Sequence, residues 1–288
     1  MCGGKPSPEP FRYCLNTSTI KGQGLGIVEE AEVAAEAGYS GIEPWVRELD
    51  TYVEGGGSLK DLGERFSDLG LTVEGGIGFF DWVVDDDAQR AAGLEEARRA
   101  MGMLREIGAL RVAAPPCGAT DVEGMDLRRA AERYRDLLEI GDEFGVVPMV
   151  EVWGFSTCLG RLGEGVMVAI ESGHPRACVL ADVFHMYKGE SNYEGLRLVG
   201  PGTIAIFHMN DFPADPARET IKDAERVWPG DGVAPLDFIL GTLREVGWEG
   251  VLSLELFNPV YYELDALDAA RTGLEKMRGA VRKALSGE

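Results

Sequence analysis

Histidine is scarce in this chain, with only three among 288 residues. That scarcity argues against any site assembled from many imidazoles. Basic residues are also few, 28 against 49 acidic ones, and the resulting formal charge of −21 repels phosphate backbones and anionic lipid surfaces. Neither nucleic acid nor a membrane is an expected partner. The five cysteines, Cys2, Cys14, Cys117, Cys158 and Cys178, are scattered and contain no CxxC pair, so they read as buried thiols outside any disulfide framework or zinc knuckle. An apolar run of 18 residues is missing throughout, and the opening MCGGKPSPEP has neither a signal-peptide core nor a lipidation pattern. The expected location is cytoplasmic.

What the chain does have is alternation. Short apolar runs rich in β-branched residues fall at 11–15, 40–44, 71–75, 110–114, 146–151, 177–182, 203–208 and 251–255, each read as a strand. Amphipathic stretches lie between and after them, at about 26–37, 58–69, 86–107, 126–144, 161–172, 191–199, 235–246 and 263–284. Glycines close most of these helices and open the next strand, as in AEAGYSGIE and DEFGVVPMV. Eight such units in series, with no linker between them, predict an α/β fold: one (β/α)8 TIM barrel occupying 1–288 as a single domain. Barrels of this kind often associate, so a homo-oligomer is the expectation. Residues 209–234 form the longest irregular stretch and are expected to cover the site.

Four metal-seeking side chains stand at the ends of the last four strands: Glu151 in VVPMVEVW, Asp182 in CVLADVFH, His208 in TIAIFHMND and Glu255 in GVLSLELF. A carboxylate inside such a run must be paired, protonated or bound to metal, because burying it alone is costly. A structural ion pair explains any one of them equally well. In a barrel, however, these four ends converge on one rim, and three carboxylates with one imidazole suit a single divalent ion: Mn²⁺ first, then Mg²⁺, Co²⁺ or Zn²⁺. His185, three residues beyond Asp182, is expected to contact substrate, while His174 reads as a solvated turn residue.

The motifs DVFH at 182–185, FHMND at 207–211, WPGDG at 228–232 and LSLELFNPVYY at 252–262, together with Glu151, resemble the xylose-isomerase-like barrels of the sugar phosphate isomerase/epimerase superfamily. Inosose isomerase-like members are the most similar branch, with ketose epimerases beside them. The resemblance implies that Glu151, Asp182, His208 and Glu255 hold the metal, that Glu151 and Glu255 face opposite sides of a bound sugar, and that His185 touches a substrate oxygen. It further implies a substrate-facing arginine, for which Arg226 is preferred over Arg218.

The chemistry of these residues agrees with that implication. A cation chelated by a ketone and its neighbouring hydroxyl stabilises an enediolate, and two carboxylates can then remove and return the proton. The expected function is thus a metal-dependent isomerase or epimerase of a keto-sugar or keto-cyclitol, with a dehydratase or lyase as the alternative. An abasic-site endonuclease or a non-catalytic barrel fits the charge and the intact ligand set less well. Glu43 and Trp153 are further candidate substrate contacts, and Trp45, Phe79, Phe80 and Trp82 are rim aromatics suited to sugar C–H faces. No second glutamate follows closely on Glu151 as in ketose 3-epimerases, and no cluster of cations is evident on the βα loops, which disfavours a phosphorylated substrate.

Overall fold

The structure is a computed structural model and describes residues 10–286. Its strands are β1 (Arg12–Asn16), β2 (Gly41–Glu43), β3 (Thr72–Val73), β4 (Arg111–Ala114), β5 (Val147–Glu151), β6 (Val179–Asp182), β7 (Ile204–Met209) and β8 (Val251–Leu254). All pair in parallel in the order β3-β2-β1-β8-β7-β6-β5-β4. Three backbone bonds join the two ends of this order: Leu110 N to Val73 O (3.2 Å), Gly76 N to Arg111 O (3.0 Å) and Ala113 N to Gly76 O (2.9 Å). The sheet therefore closes on itself, as the eightfold alternation predicts.

β3 is shorter than the expected 71–75 because the chain beyond Val73 runs through Gly75 and Gly76. A Cβ on Gly75 would meet the Glu43 carboxylate at 2.6 Å, and one on Gly76 would meet Leu104 at 2.3 Å. The backbone here approaches its neighbours too closely for side chains, and regular pairing gives way to the closure bonds.

Outside the sheet lie α1 (Ile27–Ala37), α2 (Val46–Glu54), α3 (Leu59–Asp68), α4 (Asp87–Glu106), α5 (Leu127–Phe144), α6 (Leu162–Glu171), α7 (Val183–Lys188), α8 (Leu236–Glu245) and α9 (Ala266–Ser286). Each turns an apolar stripe to the sheet, as in α5, where Ala130, Tyr134, Leu137, Leu138 and Gly141 are buried. Gly38 and Gly145 end α1 and α5 with φ of 96° and 73°.

Three elements depart from the sequence reading. α2 follows β2 directly, and α7 follows β6 without a loop, because Asp182 both ends the strand and caps the helix by accepting from His185 N at 2.7 Å. The expected helix at 191–199 is a 3-10 turn, Tyr193–Leu198, with Leu198 fully outside the core. Among the described residues no helix is long and apolar enough to cross a membrane. Cys14, Cys158 and Cys178 are buried, Cys117 is partly so, and Cys2 lies outside the described residues. His174 is not solvated as expected: its ring is packed against Asp142, with Nε2 3.2 Å from Oδ2.

Candidate active site

Strand register gathers the site. Asn16 pairs with Glu43 across β1 and β2, Asp182 with His208 across β6 and β7, and Glu255 N donates to Met209 O at 3.1 Å just past β8. These positions all lie at the C-terminal ends of the strands, on one rim.

One donor atom from each of Asp182, His208 and Glu255 lies within 4.8 Å of the other two, and all three residues are buried. His208 Nδ1 stands 3.2 Å from Glu255 Oε2 and 4.0 Å from Asp182 Oδ2. Glu151 is not within this tight trio. It lines the same cavity, 4% exposed, and its Oε2 is buried without a hydrogen-bond partner.

Around the trio the remaining hydrogen-bonding capacity is taken up by neighbours. Glu43 Oε2 is 3.0 Å from His208 Nε2. Asn210 donates to Asp182 Oδ2 at 2.8 Å and accepts from Phe184 N at 2.9 Å. Asn16 donates to Glu255 Oε1 at 3.1 Å and accepts the Trp45 indole N–H at 2.9 Å.

The segment after β7 supplies a buried guanidinium to the rim. Arg226 is 1% exposed; its Nη1 donates to Asp182 Oδ2 (3.0 Å) and Glu255 Oε2 (2.9 Å), its Nε to Asp223 Oδ1 (3.0 Å), and its Nη2 lies 3.2 Å from His185 Nε2. Two anchors hold this segment. The Asp211 carboxylate accepts from the backbone N–H groups of Phe212, Gly230, Gly232 and Ala234 at 2.8–3.0 Å, and Lys188 Nζ donates to the carbonyls of Arg218, Glu219 and Ile221 at 2.8–3.0 Å. The HMND and PGDG motifs are thus two halves of one hydrogen-bonded turn.

Above the trio opens a cavity of about 310 Å³, lined by Glu151, His185, Asp223, Arg226, Glu255 and an aromatic wall. The wall is continuous: Phe257 to Trp45 (6.1 Å between ring centres), Trp45 to Phe79 (5.3 Å), Phe79 to Trp153 (5.9 Å), Trp153 to Phe155 (5.1 Å) and Phe155 to His185 (5.8 Å). Such a lining suits the C–H faces of a polyhydroxylated ring. Phe80 and Trp82, expected on this rim, are core residues, and the Trp82 indole donates to Pro115 O at 2.7 Å.

Electrostatics separate the two cavity glutamates. Burial, reinforced by the charge of Glu255, pushes Glu151 up to about 8. Burial would also raise Glu255, but His208 and Arg226 outweigh it and hold that carboxyl at about 2. Burial lowers His185, with Arg226 adding to the effect against the pull of Asp182, so its imidazole is neutral. Burial alone would lower His208 too, yet Glu255 and Glu43 on its two edges raise it well above its ordinary value.

A divalent cation fits this donor set. Glu151 Oε2 is buried without a hydrogen-bond partner and His208 Nδ1 faces Glu255 and Asp182, and hard oxygen donors with one imidazole are what such ions prefer. Glu43, at Nε2, fixes which imidazole edge remains free to coordinate.

Of the residues singled out in the sequence, Glu151, Trp153, His185, Arg226 and Glu255 meet at the cavity, with Asp182 and His208 beneath it. Glu43 is brought to His208 and is fully buried there; it is not among the cavity-lining residues. Arg218 is not brought in: it pairs with Glu190 and Glu219 on the outer surface. Asn16, Asn210 and Asp223 were missed. Asn210 stands inside the FHMND motif, which was a signal for it, whereas nothing in the local pattern marks Asn16.

Comparison with known proteins gives concordant findings. The chain is 28% identical to the inosose isomerase of Bacillus velezensis over 283 residues, covering 95% of this chain and 98% of that one. It is 23% identical to the 3-dehydroshikimate dehydratase of Pseudomonas putida over 251 residues, 86% of this chain but 39% of the relative. The crystal structure of IOLI protein with a bound zinc atom superposes with a TM-score of 0.87 at 25% identity, covering 95% of this chain and 99% of the other. The family model for the xylose isomerase-like TIM barrel matches residues 31–280, and the chain belongs to that family.

Proposed function

We propose that the chain is a divalent-metal-dependent isomerase or epimerase acting on a keto-cyclitol or keto-sugar. The observation that carries this reading is the pair Glu151 and Glu255, lining one cavity beside the buried cluster of Asp182, His208 and Glu255. Asp182, His208 and Glu255 would hold the ion, with Glu151 as the fourth ligand. When bound, the cation supplies Lewis acidity at a substrate ketone oxygen.

The chain's own groups do the rest. One of Glu151 and Glu255 takes the proton from the carbon beside the ketone and the other returns one, a division of labour open to two carboxylates lining one cavity. Return to the opposite face gives epimerisation; return to the neighbouring carbon gives isomerisation. Arg226 can only donate, so His185 Nε2 accepts from it and the imidazole proton sits on Nδ1, free to bond a substrate hydroxyl. The aromatic wall excludes water and orients the ring.

Relatives named 3-dehydroshikimate dehydratase support a second reading, elimination of a hydroxyl, in which His185 Nδ1 is the acid beside the leaving group. One experiment decides between them. Protein purified without chelator is analysed for metal and incubated with inosose and a panel of keto-sugars in D₂O. About one ion per chain and C–H exchange without loss of water support the isomerase. An ultraviolet-absorbing enone supports the lyase. No exchange and no enone with any ketone, at full metal occupancy, overturns both.

A further inference from the structure

Arg226 is the only lysine or arginine among the residues that line the cavity, against the carboxylates of Glu151, Asp223 and Glu255. That guanidinium is fully committed to the protein. Its Nε donates to Asp223 Oδ1 (3.0 Å), its Nη1 to Asp182 Oδ2 (3.0 Å) and Glu255 Oε2 (2.9 Å), and its Nη2 to Asp223 Oδ1 and to His185 Nε2 (3.2 Å). One N–H on Nε and two on each Nη are all that a guanidinium has, so none is left for a bound molecule. Arg226 holds the carboxylates and His185 in place and offers nothing further to the cavity.

Asp223 differs from the other two cavity acids. Glu151 and Glu255 are each 4% exposed, whereas the Asp223 side chain, on the 3-10 turn Asp223–Glu225 of the segment after β7, is 42% exposed. Both of its bonds to Arg226 fall on Oδ1, which leaves Oδ2 without a protein partner among the described residues. Burial would raise this carboxyl, but Arg226 outweighs burial and holds it below its ordinary range, so the charge is present. An ionised oxygen with open lone pairs accepts a hydroxyl strongly and repels a carboxylate, and no free cationic side chain lines the cavity to offset that repulsion.

We propose that Asp223 is a specificity-determining residue of this cavity, a charge selector that accepts a ring hydroxyl of a neutral polyhydroxy ketone at Oδ2 and turns away ring acids of the same shape. Glu151 and Glu255 are occupied with the metal site and the proton, so sorting by charge falls to the one cavity carboxylate that neither task needs. The same residue orients the guanidinium through Oδ1, so each of its oxygens has its own task. The proposal deepens the function proposed above and rests on it for the ketone, but the selection can be measured without turnover.

The test compares shikimate with its methyl ester, which share ring and hydroxyls and differ in charge, by the fluorescence of Trp45 and Trp153 in the cavity lining. Protein purified without chelator should bind the ester about tenfold tighter than the acid. Added salt should narrow that gap, because screening reaches half-exposed Asp223 but not buried Glu151 and Glu255. The gap should close in Asp223→Asn and persist in Asp223→Glu, which keeps the charge. Equal affinity or tighter acid binding in the parent, a gap that salt leaves untouched, one that survives in Asp223→Asn, or one lost equally in Asp223→Glu overturns the selector. Ester preference with the expected dependence, in a protein that exchanges no ketone proton, keeps the selector and removes the isomerase reading. Exchange of inosose protons with equal affinity for both probes does the reverse.

Discussion

Glu43 Oε2 and His208 Nε2 are 3.0 Å apart, and neither side chain is exposed at all. The pair explains why a carboxylate ends β2 inside the barrel: it orients the imidazole whose other nitrogen faces Asp182 and Glu255. Glu43→Gln keeps the shape and an acceptor but removes the charge. The variant should fold normally and lose roughly 10–100-fold in affinity for Mn²⁺ or Zn²⁺, read by titration of the metal-free protein. Unchanged affinity would remove Glu43 from the metal centre.

Arg226 neutralises carboxylates that are otherwise buried together. Arg226→Met should destabilise the metal-free protein by about 3–5 kcal/mol, since Asp182 and Glu255 then face each other with only His208 between them. Added divalent cation should restore more melting temperature to this variant than to the parent. Thermal unfolding with and without chelator measures both effects, and equal metal responses would contradict the shared site.

Asp211 is 1% exposed and accepts four backbone N–H groups of the segment that carries Arg226. Asp211→Ala leaves those donors unpaired, at a cost of about 1–3 kcal/mol. Hydrogen exchange should quicken at Gly230, Gly232 and Ala234, with substrate affinity falling along with it. Unaltered protection at those three amides would mean that the segment is held by Lys188 alone.

Away from the site, Glu30 is buried in α1 with Oε2 unpartnered, and burial followed by the charge of Glu48 pushes its carboxyl up to about 8. In the unfolded chain a glutamate titrates at about 4.3. The folded state therefore binds the extra proton, so this contribution to stability is fully present below about pH 4.3 and is lost as pH rises toward 8. Glu30→Gln removes the dependence. It should gain roughly 1–3 kcal/mol over the parent at pH 9 and nothing at pH 4, by denaturant unfolding at each pH; a gain equal at both would show that Glu30 does not titrate.

The strand ends were readable in the sequence because a carboxylate or imidazole closing a β-branched run contradicts its own neighbourhood, and four such contradictions on successive strands point to one rim. Arg226 was readable from its distance to the PGDG turn. Asn16 was not, since its partners are Trp45, 29 residues on, and Glu255, 239 residues on, and nothing around TST hints at either. α7 was hidden because Asp182 serves strand and helix at once, leaving no turn residues to mark a boundary.

The aromatic wall sets a direction for redesign. Its rings lean on one another in series, and of its members Phe79 and Phe155 are exposed while Trp45 is pinned through Asn16 to Glu255. Trimming Trp45 would disturb Asn16 and, through it, Glu255 along with the shape of the bowl. Retuning the protein to bulkier rings should therefore begin with the two outer phenylalanines, where room can be made without shaking the floor.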